Sequence, residues 1–323
     1  MPTTKVRRPA RTLVAVTASL VLLAALGLVV VRLAANRIVF QEACTATAGG
    51  AKARVSIEQA ENAAIIASVA ARRGLPARAA TIALATALQE SRLRNLAHGD
   101  RDSLGLFQQR PSQGWGTAAE VMDPVHASNA FYDALVKIEN YTTMDINDAA
   151  QEVQRSGHPE AYNKHETRAR ALASSLMGYS KAAFTCAIRP DGVDDETPGA
   201  TGLTRRAATA RDAVQAAFGP QETGGYAPGG VTAGHMADSA HYDGRAIDFF
   251  YQPVDASARR DGWATAQWLV ANAEHLDVAT VIYDGRIWTA RRSVQGWRDY
   301  TPPGGATEDA TLMHRDHVHL DVR

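Results

Sequence analysis

The chain has 323 residues, 46% of them apolar, with 34 Lys and Arg against 34 Asp and Glu. That neutrality hides a division: the first 37 residues carry six basic residues and no acidic one, leaving 28 basic and 34 acidic residues beyond them. A net-acidic body is a poor partner for a phosphate backbone, so nucleic-acid binding is not expected.

Lys5, Arg7, Arg8 and Arg11 make residues 1–11 a basic tail. Leu13 to Val31 is almost wholly apolar and is closed by Arg32 and Arg37. About twenty apolar residues cross a bilayer as a helix. The stretch meets that length and predicts a transmembrane anchor over 12–34, with the basic tail inside and the remainder outside. A cleaved signal peptide is the rival, but its apolar core is typically only ~7–15 residues. Leu33-Ala34-Ala35 is also a poor cleavage site. Cys44 and Cys186 are the only cysteines. They fit an oxidising outside compartment and are expected to bridge, tying the start of a 44–186 segment to its end. Such a bridge places the two Cα atoms roughly 4.4–6.8 Å apart.

Residues 45–185 read as mainly helical. The apolar spacing predicts helices over 55–73, 77–94, 124–137, 146–155 and 164–177. A turn over 97–103 and a Pro/Gly/Trp loop over 110–117 flank Leu104-Gly105-Leu106-Phe107-Gln108-Gln109. Asp100 and Asp102 suit that turn. Residues 187–204 combine Pro, Gly and acidic residues without an apolar period, and predict a flexible linker.

The last third carries Ser239-Ala240-His241-Tyr242-Asp243-Gly244-Arg245-Ala246-Ile247-Asp248 and Asp316-His317-Val318-His319-Leu320-Asp321. Two strands are expected, over 244–251 and 317–322. Alternation puts Ala246 and Asp248 on one face, with Ile247, Phe249 and Tyr251 on the other. It likewise separates His317, His319 and Asp321 from Val318, Leu320 and Val322. Adjacent strands could thus present Asp248 and both histidines to one cleft, with His241 entering from the preceding loop. Three such ligands with an open fourth position suit a catalytic metal. The Gly-rich stretch 219–234 reads as a long loop beside it.

Two resemblances give these residues roles. The order Ala-Leu-Gln-Glu-Ser-Arg-Leu (87–93), Ser-Leu-Gly-Leu-Phe-Gln-Gln (103–109) and Ala-Phe-Tyr-Asp-Ala-Leu (130–135) resembles the soluble lytic transglycosylases and goose-type lysozymes. That resemblance implies a mainly α lysozyme-like domain over 44–186. Glu90 is then the general acid, Gln108 lines the sugar groove and Tyr162 is a further groove residue. A carboxyl can protonate a glycosidic oxygen near neutral pH only where an apolar wall raises its pKa, and Leu106 and Phe107 are candidates for that wall. Most glycosidases pair two carboxylates. The transglycosylases use one Glu, first as acid and then as base, so transglycosylase and muramidase both remain open.

Residues 205–323 resemble the LAS-type metallopeptidases, the D-alanyl-D-alanine carboxypeptidase, lysostaphin and hedgehog-like group. The first motif follows the VanY-like carboxypeptidase pattern. In the second, His317 stands where those carboxypeptidases carry Glu, as in the endopeptidase branches. The resemblance implies an α+β domain with an antiparallel sheet and a zinc ion on His241, Asp248 and His319. It makes Ser239 a substrate contact and His317 the base or transition-state stabiliser, with exo- and endopeptidase both open. The two resemblances converge on peptidoglycan as the partner of a membrane-tethered, two-headed hydrolase. The alternative is a non-catalytic wall-binding or assembly factor of an envelope-spanning secretion or conjugation machine.

Overall fold

The structure is a computed structural model that describes residues 21–32 and 41–323. Residues 21–32 are helical and exposed. Among the described residues no helix is long and apolar enough to cross a membrane. The basic tail over 1–11 lies outside the described residues, and so does about half of the expected anchor over 12–34. The chain divides into Met1–Gln41 and Glu42–Arg323, and the second unit holds every site residue named above.

That unit is α+β. Strand β1 (Ala43–Ala48) lies between β2 (Ala51–Val55) and β3 (Phe184–Ala187) in a small antiparallel sheet. The sequence reading missed this sheet because its strands are short and rich in Ala and Thr rather than Val and Ile. Their burial still alternates: Cys44 and Ala46 point inward, as do Phe184 and Cys186. Cys44 and Cys186 are directly opposed in register and are disulfide-bonded. Their Cα atoms are 3.9 Å apart, closer than expected.

Helix α1 (Ile57–Arg72) starts two residues later than expected, and Val55 belongs to β2. Ser56 and Gln59 form a reciprocal capping box that sets this start. Helix α2 (Ala77–Glu90) stops at Glu90 rather than running to 94. Arg92 and Leu93 take positive φ, and the Leu93 amide turns back to Ala87 O at 3.0 Å. Then follow α3 (Ala118–Met122), α4 (Pro124–Leu135), α5 (Ile146–Gln154) and α6 (Glu166–Leu176). A 3-10 turn, Asn163–His165, replaces the expected first turn of α6. Phe107 stacks on Phe131 at 4.7 Å in the core of this half.

The C-terminal half has α7 (Arg205–Phe218), α8 (Ala256–Ala271) and a six-stranded antiparallel sheet ordered β4-β5-β9-β6-β7-β8. The strands are β4 (Thr223–Gly224), β5 (Ala246–Phe250), β6 (Val278–Tyr283), β7 (Arg286–Thr289), β8 (Arg298–Asp299) and β9 (His317–Val322). The alternation holds: Ile247, Phe249, Val318, Leu320 and Val322 are fully buried on one face. Helix α8 packs on β6 and β9. Its buried Gln267 joins the halves: Oε1 accepts from the Ala183 and Phe184 amides at 2.7 Å each, and Nε2 donates to Ser175 O at 2.5 Å. Residues 190–198 carry no helix or strand. Arg206 nonetheless donates to Asp194 O at 2.6 Å, Arg323 donates to Asp191 O at 2.9 Å, and Glu196 pairs with Arg205 at 2.7 Å.

Candidate functional site

The early end of α2 makes Glu90 its last residue, where a side chain can leave the helix for a cleft. Tyr162 donates its hydroxyl to Glu90 Oε1 at 2.8 Å. Gln154, the last residue of α5, donates to Phe107 O at 2.8 Å and also faces the Glu90 carboxyl. Ser91 donates to Leu106 O at 2.7 Å, which holds the 104–109 segment against the end of α2. Burial raises the Glu90 pKa, and the hydrogen bonds from Tyr162 and Gln154 only partly offset it. Leu106 and Phe107 are fully buried.

Gln108 is placed differently from a free groove residue. Its amide folds back onto its own turn, donating to His98 O and Gly105 O at 3.3 Å each. Asp102 accepts from Arg110 at 2.7 Å and from the Ser112 amide at 2.8 Å, which hold its carboxyl well below the usual carboxylate range. It acts as a turn residue, as the sequence suggests. Beside Gln154 opens a groove of about 900 Å³, with Trp115, Ile138 and Val153 as apolar lining and Glu139 and Glu152 as acids.

The second cluster sits on the polar face of the large sheet. Asp248 on β5 and His319 on β9 are directly opposed in register. His241 enters from the loop before β5. His319 Nδ1 lies 3.0 Å from Asp248 Oδ1, His241 Nε2 lies 3.2 Å from His319 Nδ1, and His241 Nε2 lies 3.4 Å from Asp248 Oδ1. A tetrahedral metal with bonds of ~2.0–2.1 Å sets its ligand atoms about 3.3–3.4 Å apart.

The hydrogen bonds on the far side of each ring fix the tautomers. His241 Nδ1 faces Gly225 O at 2.8 Å, and a carbonyl can only accept, so Nδ1 carries the proton. His319 Nε2 donates to Asp321 Oδ1 at 2.7 Å. With each ring keeping only its outer proton, two imidazole lone pairs and a carboxylate oxygen converge on one spot, as a cation requires; without a cation, His319 carries a second proton on Nδ1 and shares it with Asp248 Oδ1 at 3.0 Å. Burial alone would lower the His319 pKa, but Asp321 and Asp248 outweigh it and raise it to about 10. Burial would raise Asp248, yet its bonds to His241 and His319 hold it well below the usual carboxylate range. The donor set, two imidazoles and a carboxylate with outer carbonyl and carboxylate partners, fits zinc.

His317 is close but outside the triad. Its Nδ1 donates to Asp316 Oδ1 at 2.7 Å, and its Nε2 lies 3.7 Å from Asp248 Oδ1. Ser239 is half-buried, and its hydroxyl accepts from the His241 amide at 3.4 Å, bracing the ligand loop.

Sequence reasoning missed two histidines here. His235 stacks on His241 with ring centroids 3.9 Å apart, and its ring, His241 and Asp248 could hold a metal together. His314 lies 4.7 Å from the His317 ring and 5.5 Å from the His319 ring, with a buried Nδ1 that has no partner. Loops carry both, and loops have no period to read. Asp321 was legible as a residue of the histidine face, but not as the partner that orients His319.

Gly225 takes φ +80°, and a Cβ there would run into the His241 ring. Gly225→Ala is expected to weaken any metal binding at this cluster about tenfold or more, the scale seen when an outer partner of a ligand is disturbed. Competition with a zinc chelator measures this, and unchanged affinity would contradict it.

A family model described as VldE, C-terminal domain, matches residues 199–311. The match takes in His235, His241 and Asp248 and stops before His317 and His319. No curated protein matches the chain.

Proposed function

We propose that the chain is a two-site peptidoglycan hydrolase, with a lysozyme-like domain built around Glu90 and a LAS-like zinc peptidase built around His241, Asp248 and His319. The observation that carries the reading is the convergence of three lone-pair donors within 3.4 Å of one another on a polar sheet face. When bound, zinc supplies a hydroxide-like water at neutral pH and polarises the peptide carbonyl. The protein does the rest. Gly225 O and Asp321 hold the ligand rings in their metal-binding tautomers. Asp316 holds His317 through Nδ1, which leaves Nε2, 3.7 Å from Asp248 Oδ1, to stabilise the tetrahedral intermediate. In the other half, burial keeps Glu90 protonated at higher pH than a free carboxyl, and Tyr162 fixes the carboxyl's orientation. Glu90 then donates its proton to the glycosidic oxygen as that bond breaks, and as carboxylate takes a proton back from the nucleophile, water or the sugar's own 6-hydroxyl, that bonds to the anomeric carbon.

The disulfide supports an oxidising, extracytoplasmic setting, since such bridges persist outside the cytosol. The anchor over 12–34 remains part of this proposal, as does attachment to a bacterial membrane. Incubation of purified peptidoglycan with the protein, with and without a chelator, tests the function. Both glycan and peptide cuts are expected without chelator; no cuts in either linkage would overturn it.

A further inference from the structure

We infer that a groove lined by arginines on the metal face of the large sheet binds a carboxylate of the peptide substrate about four residues from the scissile bond. This rests on the peptidase reading and adds a substrate requirement to it.

Register places the groove. Asp248 pairs with His319, His319 with Ile282, Ile282 with Ile287, and Ile287 with Arg298. Directly opposed residues of an antiparallel sheet share a face, so Arg298 lies on the same cross-strand row as two metal ligands. A second row runs beside it, from Asp321 through Thr280 to Thr289. Thr280 and Thr289 line a groove of about 1280 Å³, together with Tyr242, Ile287 and Arg298. Its near end meets the metal centre: Thr280 hydrogen-bonds Asp321, which in turn accepts from the ligand His319.

The charges of the groove are not balanced from within. Arg245 pairs with Asp243, Arg323 with Asp277, and Glu196 with Arg205 and Arg206. The acids left over, Asp191 and Asp195, are exposed on the connector that forms the opposite wall. Arg291, Arg292 and Arg298 also line the groove, and among the described residues none of them pairs with a carboxylate. Arg298 is the oriented one: Nη2 donates to Thr289 Oγ1 at 2.9 Å, which holds the guanidinium on the row that leads to the metal centre. A planar fork with a free edge matches a carboxylate.

Strands lie ~4.8 Å apart, so three strand steps put Arg298 about 14 Å from His319, the span of roughly four extended residues. A terminal carboxylate one residue from the cut could not reach it. The groove therefore favours a substrate that continues well past the scissile bond on this side.

Calorimetry on the zinc-loaded full chain tests this, using a soluble stem peptide with free carboxylates and the same peptide with them amidated. Amidation is expected to weaken binding to the wild type about tenfold or more, and to change binding to Arg298→Gln little. Zinc content must be equal in both proteins, which reports an intact fold. Equal loss on amidation in wild type and variant would overturn the inference, as would no binding of either peptide. Binding that discriminates as expected, without any cleavage, would keep the groove and sink the peptidase reading instead.

Discussion

His319→Ala is expected to abolish peptide cleavage, by about a thousandfold or more, while leaving glycan cleavage at the wild-type level. His319 supplies one of three lone pairs, lies directly opposite Asp248 and takes its orientation from Asp321. Its loss leaves only His241 and Asp248 of the triad, and a metal held instead with His235 would no longer sit on the sheet face opposite β9 where the peptide is cut. Chelation should reproduce the variant, since only one half needs an ion. His317→Ala should differ: its Nε2 stands 3.7 Å from Asp248, outside the triad, so zinc stays and turnover falls. Elemental analysis beside the peptidase assay separates these outcomes. Zinc retained by a His241→Ala/His319→Ala double variant would contradict the assignment. Four bound protein ligands, with His235 filling the last position, would remove the site for the attacking water. Cobalt substitution reports that coordination directly, and an open position exchanging with solvent is the expected result.

Glu90→Gln is expected to lower glycan cleavage by ~10²–10⁴-fold, the usual scale for loss of a general acid. Peptide cleavage should not change. Gln keeps an oxygen to accept from Tyr162, so the site keeps its shape and loses its proton. The pH dependence has a definite sign. Burial raises the folded-state pKa, so glycan cleavage should fall as pH rises through that raised value. Stability follows the same direction: the contribution of Glu90 is complete below the unfolded pKa and is lost as pH rises through the folded one. Above that window the Gln variant should be at least as stable as the wild type. Thermal melts across pH measure this. Undiminished glycan cleavage by the Gln variant would remove Glu90 from the mechanism.

The sequence revealed unequal parts of this molecule. β9 was readable residue for residue, because a strict alternation of His and Asp with Val and Leu has only one strand solution. That alternation brought Asp248 and both histidines to one face, and the resemblance, not the alternation, chose His319 over His317 as the ligand. The small sheet around Cys44 was not readable, since Ala and Thr give no strong strand preference and its third strand comes from the far end of the half. The end of α2 was misplaced by four residues. Arg94 and Leu93 continue a helical pattern on paper, but Asn62 bonds Leu93 O and Ser91 bonds Leu106 O, tertiary contacts that favour a turn there. Gln108 shows the same limit from the other side: its place in a motif did not reveal that its amide closes its own turn. His235 and His314 came into view only when loops were brought beside the strands.

The most direct test is mass spectrometry of the fragments released from purified peptidoglycan by the zinc-loaded protein, before and after exhaustive chelation. The account predicts fragments cut in both glycan and peptide before chelation, and fragments cut only in glycan after it. Peptide cuts that persist without metal, or glycan cuts that vanish with it, would contradict the division of labour between Glu90 and the His241–Asp248–His319 centre.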